Sequence, residues 1–318
     1  MDEDRFAAET APFRRELLAH CYRMVGSAHD AEDLVQETYL RAWRGYGGFD
    51  GRSSVRVWLY AIATNVCLTA LRPRSVRMLP SGLSGPQQEE APPRRAAPGA
   101  VSWLEPLPDS RIGDPAAAAV TRESVRLALV ASLQHLPARQ RAILLLREVL
   151  AFSAAETAEV LGTTVAAVKS GLQRARARLA EPGPGHDLLE PEDPRARALL
   201  EGYIAAFERS DPALLERVLR ADATLEATPF LDWRAGRQGC VGLLAAYVLG
   251  APGDWRLLPT TANGQPAAGV FHRGEPHGVV VLSVTATGIA RVVEFGDPGL
   301  LAGFGLVSPA RTPSAARS

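Results

Sequence analysis

The sequence predicts a multidomain protein in which two all-α domains, a helical bundle and a helix-turn-helix, precede an α+β domain. Three observations support this fold class. Apolar residues recur every three or four positions in two N-terminal stretches, whereas short β-branched runs bounded by Gly, Asn and Asp appear only late in the chain. Segments rich in proline and glycine separate these blocks, so each block is expected to fold around its own core.

Composition limits the classes of protein that the chain can be. Its 318 residues are 47% hydrophobic, which is enough for more than one core. The 35 basic and 35 acidic residues cancel, so any functional charge must be local. Three distant cysteines, Cys21, Cys67 and Cys240, form no C-x-x-C pair, which argues for a reducing compartment and against a disulfide framework or a zinc site. We expect buried, free thiols.

The N-terminus is acidic and lacks the apolar core of a signal peptide. No apolar run approaches the roughly twenty residues that span a bilayer. We therefore expect a cytoplasmic protein, and no pattern in the sequence indicates a bound metal or cofactor.

The first block, residues 1–75, is predicted to be a bundle of helices. FRRELLAHCYRMV has apolar residues at helical spacing and should end at Gly26. Asp30 is expected to cap the next helix, DAEDLVQETYLRAW, whose first turn is acidic. A third helix should run from about Ser54 to Leu71. The composition of residues 76–121, rich in proline, glycine and glutamine, predicts a flexible linker.

The second block, residues 122–182, is predicted to end in a helix-turn-helix. Ser153 and Glu156 form a capping box, Gly162 is placed to end that helix, and Thr163 or Thr164 can cap the next. The turn of about three residues between the two helices is typical of this motif.

The second helix of this motif lies within TTVAAVKSGLQRARARL, residues 163–179, which contains the only lysine of the chain and no acid. Its apolar residues should form the inner stripe. A solvated basic face would normally mix charges to form ion pairs, so the acid-free face favours DNA binding in the major groove. The inner stripe comprises Val165, Val168, Leu172, Ala175 and Leu179. The outer face carries Lys169, Ser170, Gln173 and Arg174, and further along Arg176 and Arg178 can reach phosphates.

The third block, residues 194–307, combines helices with strands. ARALLEGYIAAFERSD and GLLAAYVLG are predicted helices, and four later runs are predicted strands. Asn263 and Gly264 are a hairpin signal. A short linker at residues 183–193 precedes this block, and residues 308–318 are predicted to be a disordered tail.

Two long segments resemble sigma factors of the extracytoplasmic-function group. LPARQRAILLLREVLAFSAAETAEVLGTTVAAVKSGLQRARARL resembles sigma domain 4, and GSAHDAEDLVQETYLRAWRGYGGFDGRSSVRVWLYAIATNVCLTALR resembles sigma domain 2. Together they cover somewhat more than half of the chain. The resemblance implies a factor that binds core RNA polymerase, through the large-subunit clamp helices and the flap, and directs it to promoter DNA.

The resemblance also assigns residues. The acidic helix of domain 2 would dock on the polymerase clamp helices, although first-turn acids also stabilise the helix dipole. The implied polymerase contacts are Asp30, Glu32, Asp33, Leu34, Gln36 and Glu37. The −10 element would be melted and its extruded bases held by polar and aromatic groups, of which Trp58 could equally be a core residue. The implied −10 contacts are Arg52, Ser53, Arg56, Trp58 and Asn65. The implied −35 contacts are Lys169, Ser170, Gln173 and Arg174, with Thr164 near the backbone.

The third block resembles the SnoaL-like, cone-shaped domains fused behind some of these sigma factors. That fold also hosts cyclases and isomerases, so fold alone does not give function. Its candidate pocket groups are Asp222, Glu226, Asp232, Trp233, Asn263 and His272. The sequence shows no paired acid and base among them, and we expect structural roles rather than catalysis.

The leading hypothesis is a non-enzymatic sigma factor whose activity the C-terminal domain modulates, either alone or together with an anti-sigma factor. One rival is a ligand-sensing repressor or activator, which would have no need of domain 2. The other is an enzyme with a DNA-binding appendage, which predicts turnover that depends on Asp222 or Asp232.

Overall fold

The structure, a computed structural model, describes residues 3–72, 76–87, 92–112, 123–179 and 187–306. The chain forms two compact units. The first, the helical unit, combines residues 1–78 with 109–185, and the second, the α+β unit, combines residues 79–108 with 186–318. The predicted tail, residues 308–318, lies outside the described residues.

The N-terminal part of the helical unit contains four helices. These are α1 (Glu3–Thr10), α2 (Arg14–Val25), α3 (Ala28–Gly45) and α4 (Val55–Ala70). Gly26 ends α2 in the left-handed conformation, as predicted. The cap of α3 is Ser27 and not Asp30, because the Ser27 hydroxyl accepts a hydrogen bond from the Asp30 amide and places Asp30 inside the first turn. Cys21 and Cys67 are free and buried here, as is Cys240 in the α+β unit.

Four further helices of this unit lie among the described residues 123–179, and the last two of them form the helix-turn-helix. They are α5 (Leu127–Gln134), α6 (Ala138–Leu144) with a π-helical extension (Leu145–Val149), α7 (Ala154–Val160) and α8 (Val165–Leu179). The capping box of Ser153 and Glu156 is confirmed, and Gly162 has a φ of 55°. Thr164 caps α8 by accepting a hydrogen bond from the Ala167 amide at 3.2 Å.

The inner face of α8 differs from the prediction at one end. Val168 and Ala175 are buried as expected, but Val165 is 39% exposed. Gly171 takes part in the inner face instead, because a Cβ at this position would lie 2.5 Å from Ile143 Cδ1 of α6. The close approach of α6 and α8 therefore sets which side of α8 faces outward, and it turns the first residue of α8 away from the core.

The α+β unit packs three helices against a six-stranded sheet. The helices are α9 (Pro194–Glu208), α10 (Pro212–Val218) and α11 (Arg237–Tyr247), and a short α12 (Leu300–Gly303) follows the sheet. The strands are β1 (Leu219–Thr228), β2 (Trp233–Ala235), β3 (Trp255–Ala262), β4 (Gln265–His272), β5 (Glu275–Thr285) and β6 (Gly288–Phe295). The strand order is β2-β1-β6-β5-β4-β3, with β1 parallel to β6 and the other pairs antiparallel.

Strands β1 and β2 were not predicted. The sequence of β1, LRADATLEAT, carries charges that conceal its alternation. All three of those charges are paired within the sheet: Arg220 pairs with Asp222 at 2.8 Å, and Glu226 pairs with Arg291 of β6 at 2.5 Å. The predicted hairpin at Asn263 and Gly264 is confirmed, since both residues have positive φ and Ala262 pairs with Gln265.

The segment predicted as a flexible linker is ordered over most of its length. Residues 79–108, which we call the linker strap, belong to the α+β unit. Gln87 forms a parallel bridge with Arg234 of β2, and the Leu107 amide donates to Asn263 Oδ1 at 2.9 Å. The strap has no helical or strand periodicity. Its backbone groups form hydrogen bonds with the α+β unit instead, and composition alone does not reveal such partners.

Candidate DNA and polymerase interfaces

The outer face of α8 presents an exposed polar surface. Lys169, Ser170, Gln173 and Arg174 are all exposed, as predicted. The Arg174 guanidinium donates to the Ser170 hydroxyl one turn earlier on the same helix. This bond ties the Arg174 side chain to the exposed face, where its remaining donors can meet an acceptor such as a base edge or a phosphate.

The two predicted phosphate contacts differ from each other. Arg178 is exposed, whereas Arg176 forms an ion pair with Glu148 at 2.6 Å. Glu148 lies in the π-helical extension of α6, so the acid that pairs with α8 comes from a neighbouring segment and not from α8 itself. Arg176 thus uses part of its guanidinium on Glu148, while its side chain is still 62% exposed to an incoming phosphate.

The loop before α4 and the first turn of α4 hold four of the five implied −10 contacts, Arg52, Ser53, Arg56 and Trp58. Arg52 is exposed and pairs with Asp50 at 2.6 Å, and Ser53 is half-buried. Trp58 is also half-buried, and its ring lies 4.8 Å from that of Phe49 and 6.4 Å from that of Tyr46. Trp58 therefore fits both a core role and a DNA-contact role, because it packs in an aromatic cluster and still reaches the surface.

Sequence reasoning missed Tyr46 and Phe49 as members of this cluster. The signal was present in WRGYGGF, residues 43–49, where three aromatic residues alternate with glycines. Aromatic rings next to arginines are the side chains on which unstacked bases can rest. The cluster therefore widens the surface that could accept single-stranded DNA.

Arg56 and Asn65 of α4 contact the helix-turn-helix. The Arg56 guanidinium lies over the rings of Tyr60 and Phe152, 5.2 and 5.0 Å from their centroids. Asn65 Nδ2 donates to the Val160 carbonyl of α7 at 3.4 Å. Phe152 was also missed by the sequence analysis, because its contact with α4 joins residues that are distant in the chain. Two of the implied −10 contacts thus touch the implied −35 domain, although Asn65 stays exposed and Arg56 is half-buried.

Ion pairs surround the acidic face of α3. Asp30 pairs with Arg77 at 2.8 Å, and Glu32 pairs with Arg14 at 2.9 Å and Arg111 at 3.4 Å. Within α3 itself, Glu37 pairs with Arg41, and Asp33 lies 3.8 Å from the His29 ring nitrogen. Gln36 is exposed and Leu34 is half-buried. All six predicted residues reach the surface, but two of the acids bind arginines from outside the bundle of α1 to α4.

The candidate pocket groups of the α+β unit have partners within the same unit. The pKa of the Asp222 carboxyl is lowered by its bond to Arg220, and that of Asp232 is lowered by its bond to Arg94. Both carboxylates therefore stay charged beside an arginine, which does not suit a general acid or base at neutral pH. His272 lies against the Trp255 ring at 4.4 Å. A cavity of about 800 Å³ between β2 and α11 has none of the six among its lining residues.

Four of these six groups instead hold the linker strap. Glu226 Oε2 accepts a hydrogen bond from the Ser81 amide at 2.8 Å, and Asp232 accepts from the Arg94 amide at 2.7 Å. Trp233 Nε1 donates to the Ser84 carbonyl at 2.8 Å, and Asn263 exchanges two bonds with Leu107. These candidate pocket groups, for which the sequence predicts structural roles, therefore form the binding site for a segment of the same chain.

We expect the strap to loosen when Asp232 is replaced. The side chain of Asp232 is only 4% exposed and binds both the backbone and the guanidinium of Arg94. In an Asp232→Ala variant, hydrogen exchange at the Arg94 amide should accelerate about tenfold, because charge-assisted bonds of this kind are lost. Asp222→Ala is the matched control, since Asp222 is an exposed carboxylate that pairs with Arg220 and not with the strap. Equal exchange in both variants would contradict this role of Asp232.

Within the described part of the chain, no helix is long and apolar enough to cross a membrane. The same residues contain no group of three or more histidine, cysteine or acidic side chains that could hold a metal ion.

Comparison with known proteins identifies the family. The Sigma-70 region 2 model matches residues 11–76, and the Sigma-70, region 4 model matches residues 126–179. The ECF RNA polymerase sigma factor SigG of Mycobacterium tuberculosis is 50% identical over 322 residues, 96% of this chain and 85% of that protein. The chain belongs to the ECF sigma factors. This sigma factor directs transcription initiation by RNA polymerase and is not an enzyme.

One solved structure shares the fold of this sigma factor over most of the chain. The crystal structure of the extracytoplasmic-function sigma factor SigJ of Mycobacterium tuberculosis covers 95% of the chain and 100% of its own, with a TM-score of 0.59 and 24% identity. A SnoaL-like family protein from Agrobacterium tumefaciens covers 32% of the sigma factor and 97% of its own chain, with a TM-score of 0.26 and 18% identity. The match to SigJ and the structure itself show helical sigma domains followed by an α+β domain, as predicted.

Proposed function

We propose that this sigma factor reads the −35 promoter element with the outer face of α8 and binds extruded −10 bases along α4 and the loop before it. The observation that carries the first assignment is the acid-free face of α8, turned outward by the contact of Gly171 with Ile143. A helix-turn-helix presents the start of its second helix to the major groove, where Lys169, Ser170 and Thr164 lie. The exposed side of α3 is the proposed contact with the clamp helices of core polymerase.

The two proposed DNA-binding regions contact each other in the structure. Asn65 binds the Val160 carbonyl of α7, and Arg56 lies against Phe152 in the loop before α7, so the helix-turn-helix contacts the part of α4 that would meet single-stranded DNA. The −35 and −10 elements lie many base pairs apart. Each base pair adds about 3.4 Å along the DNA axis, so the two domains that read these elements must lie a corresponding distance apart. We therefore propose that the α5–α8 part separates from the α1–α4 part when the promoter is bound.

Substitutions on α8 should separate base reading from phosphate binding. Arg174→Ala should change which promoter sequences the polymerase holoenzyme prefers, with a loss of about 1–3 kcal/mol at the base it contacts. Arg178→Ala should weaken binding equally at all sequences and reduce the salt dependence of binding. Holoenzyme binding to promoters that vary in the −35 element, measured at two salt concentrations, distinguishes these outcomes. An equal loss on all sequences for Arg174→Ala would refute its base-reading role.

We further propose that the SnoaL-like domain modulates transcription by holding the linker strap. The strap joins the two sigma regions along the chain, and nine-tenths-buried Glu226 and Asp232 each bind one of its amides. In transcription by core polymerase, Asp232→Ala should alter transcript yield while Asp222→Ala retains the wild-type level. Equal yields in both variants would leave the strap contact without a role in control.

The partners and location follow from this assignment. We propose promoter DNA and core polymerase, including its flap, as partners in the cytoplasm, where polymerase acts. Control by the SnoaL-like domain requires no further protein, whereas an anti-sigma factor would act through a separate contact. No evidence on the described residues favours an enzyme, because the candidate acids are paired with arginines.

A further inference from the structure

Two arginines that flank the linker strap bind acids of α3. Arg77, just before the strap, pairs with Asp30 at 2.8 Å. Arg111, just after it, pairs with Glu32 at 3.4 Å. Both contacts lie within the helical unit, and both acids are among the residues proposed to bind core polymerase. The two ends of the linker therefore occupy the same acidic surface.

These contacts are more buried than the other ion pairs on α3. The side chains of Arg77 and Asp30 are 20% and 13% exposed, whereas those of Arg41 and Glu37, which lie on the same helix, are 46% and 39% exposed. Glu32 is 22% exposed and also binds Arg14 of α2. Partial burial makes an ion pair less sensitive to screening, so Asp30 and Glu32 are less available to an incoming partner than Glu37 is.

The position of the two arginines in the chain links this surface to the SnoaL-like domain. Residues 79–108 between them are held by Glu226, Asp232 and Asn263. Arg77 and Arg111 each lie within a few residues of this anchored segment, so only short stretches of chain join them to it. A change in how the domain holds the strap would therefore change how firmly the arginines hold α3.

We propose that Arg77 and Arg111 compete with core RNA polymerase for the carboxylates of Asp30 and Glu32. This inference rests on the proposed role of α3 in polymerase binding. Before polymerase can use these acids, both linker arginines must leave them. The linker thus regulates the first step of sigma factor action, the formation of the holoenzyme, and the SnoaL-like domain acts on that step through the strap.

The test compares affinities of the full chain for core polymerase. An Arg77→Gln/Arg111→Gln variant should bind about 3- to 10-fold more tightly than the wild type, since two partly buried ion pairs no longer have to be broken. The gain should shrink as salt rises, because salt weakens the competing pairs. Unchanged or weaker binding by this variant would overturn the proposal.

An Arg5→Gln/Arg15→Gln variant is the matched control for net charge. It removes two exposed arginines from the N-terminal part of the same unit, and Arg5 pairs with Glu9, which lies outside the proposed polymerase surface. Its affinity should equal that of the wild type. A gain equal to that of the linker variant would show a general charge effect and refute competition. Thermal unfolding of each variant checks that the helical unit remains folded.

A third variant separates this proposal from the one on which it rests. Asp30→Asn/Glu32→Gln should weaken polymerase binding if α3 forms the interface. If it does so while the linker variant binds like the wild type, the interface stands and the competition is refuted. If it leaves affinity unchanged, the assignment of these acids to the polymerase interface fails, and the competition fails with it.

Discussion

Replacing Arg141 by methionine is expected to lower the free energy of unfolding of the helical unit by about 3 kcal/mol. Arg141 is 3% exposed and joins the two halves of the unit, since it donates to the Met24 carbonyl at the end of α2. It also donates to the side chain and carbonyl of Gln134 and to the Leu136 carbonyl. Methionine would leave all four buried acceptors without this donor.

Burying the charge of Arg141 lowers the free energy of unfolding, but by less than the hydrogen bonds of Arg141 raise it. Desolvation lowers the pKa of Arg141 to about 10, which shows the cost of placing its charge inside the protein. Replacing a buried ion pair by apolar residues can be neutral, because both partners are removed together. Here the carbonyls remain after substitution, so the unsatisfied acceptors dominate the balance.

Hydrogen exchange of the α2 and α6 amides against urea measures this loss within the full chain. Arg139→Met is the matched control on the same helix, because Arg139 is exposed and binds a single carbonyl, that of Leu161. It should cost less than about 1 kcal/mol. Similar losses in both variants would show that the network around Arg141 contributes little.

In mild acid, His20 is expected to lower the free energy of unfolding of the helical unit. This ring is fully buried, and its Nε2 lies 3.0 Å from the Thr64 hydroxyl. Burial, together with the nearby charge of Arg23, lowers the pKa of His20 to about 3. The unfolded chain, with an ordinary histidine pKa of about 6.5, binds a proton that the folded protein rejects, so stability is full above that value and falls as pH decreases.

Lowering the pH from 7 to 5 should therefore cost the helical unit about 2 kcal/mol through this one group. Urea unfolding followed by exchange of α2 and α4 amides at the two pH values measures the change. A His20→Gln variant should lose most of this pH dependence, whatever its stability at pH 7. His29→Gln, at a position whose side chain is 83% exposed, should retain it. The same pH dependence in all three proteins would exclude His20 as its source.

Local signals in the sequence predicted the helix-turn-helix well. The capping box of Ser153 and Glu156, the left-handed Gly162 and the Thr164 cap are all formed between residues a few positions apart. The hairpin at Asn263 and Gly264 belongs to the same class. Such features depend on backbone conformation and short-range hydrogen bonds, and sequence patterns report these directly. The exposed face of α8 followed from the same periodicity.

Errors arose where long-range contacts overrode a local pattern. Val165 fitted the apolar stripe of α8, but the contact between Gly171 and Ile143 determines which face is inward. Strand β1 was hidden by charges that are neutralised by Arg220 within the strand and by Arg291 across the sheet. The linker composition indicated flexibility, yet its backbone amides bind carboxylates more than a hundred residues away.

The sequence by itself determined the order of the domains, the family, and the residues that face outward on α3 and α8. These depend on periodicity, caps and motif spacing, which are encoded within one element at a time. Only the tertiary structure decided what those residues touch: Arg56 and Asn65 meet the helix-turn-helix, Asp30 and Glu32 meet the linker arginines, and Asp232 binds the strap. The physical reason is that a charged or polar side chain takes whichever partner folding brings near, and that partner leaves no mark in the sequence around it.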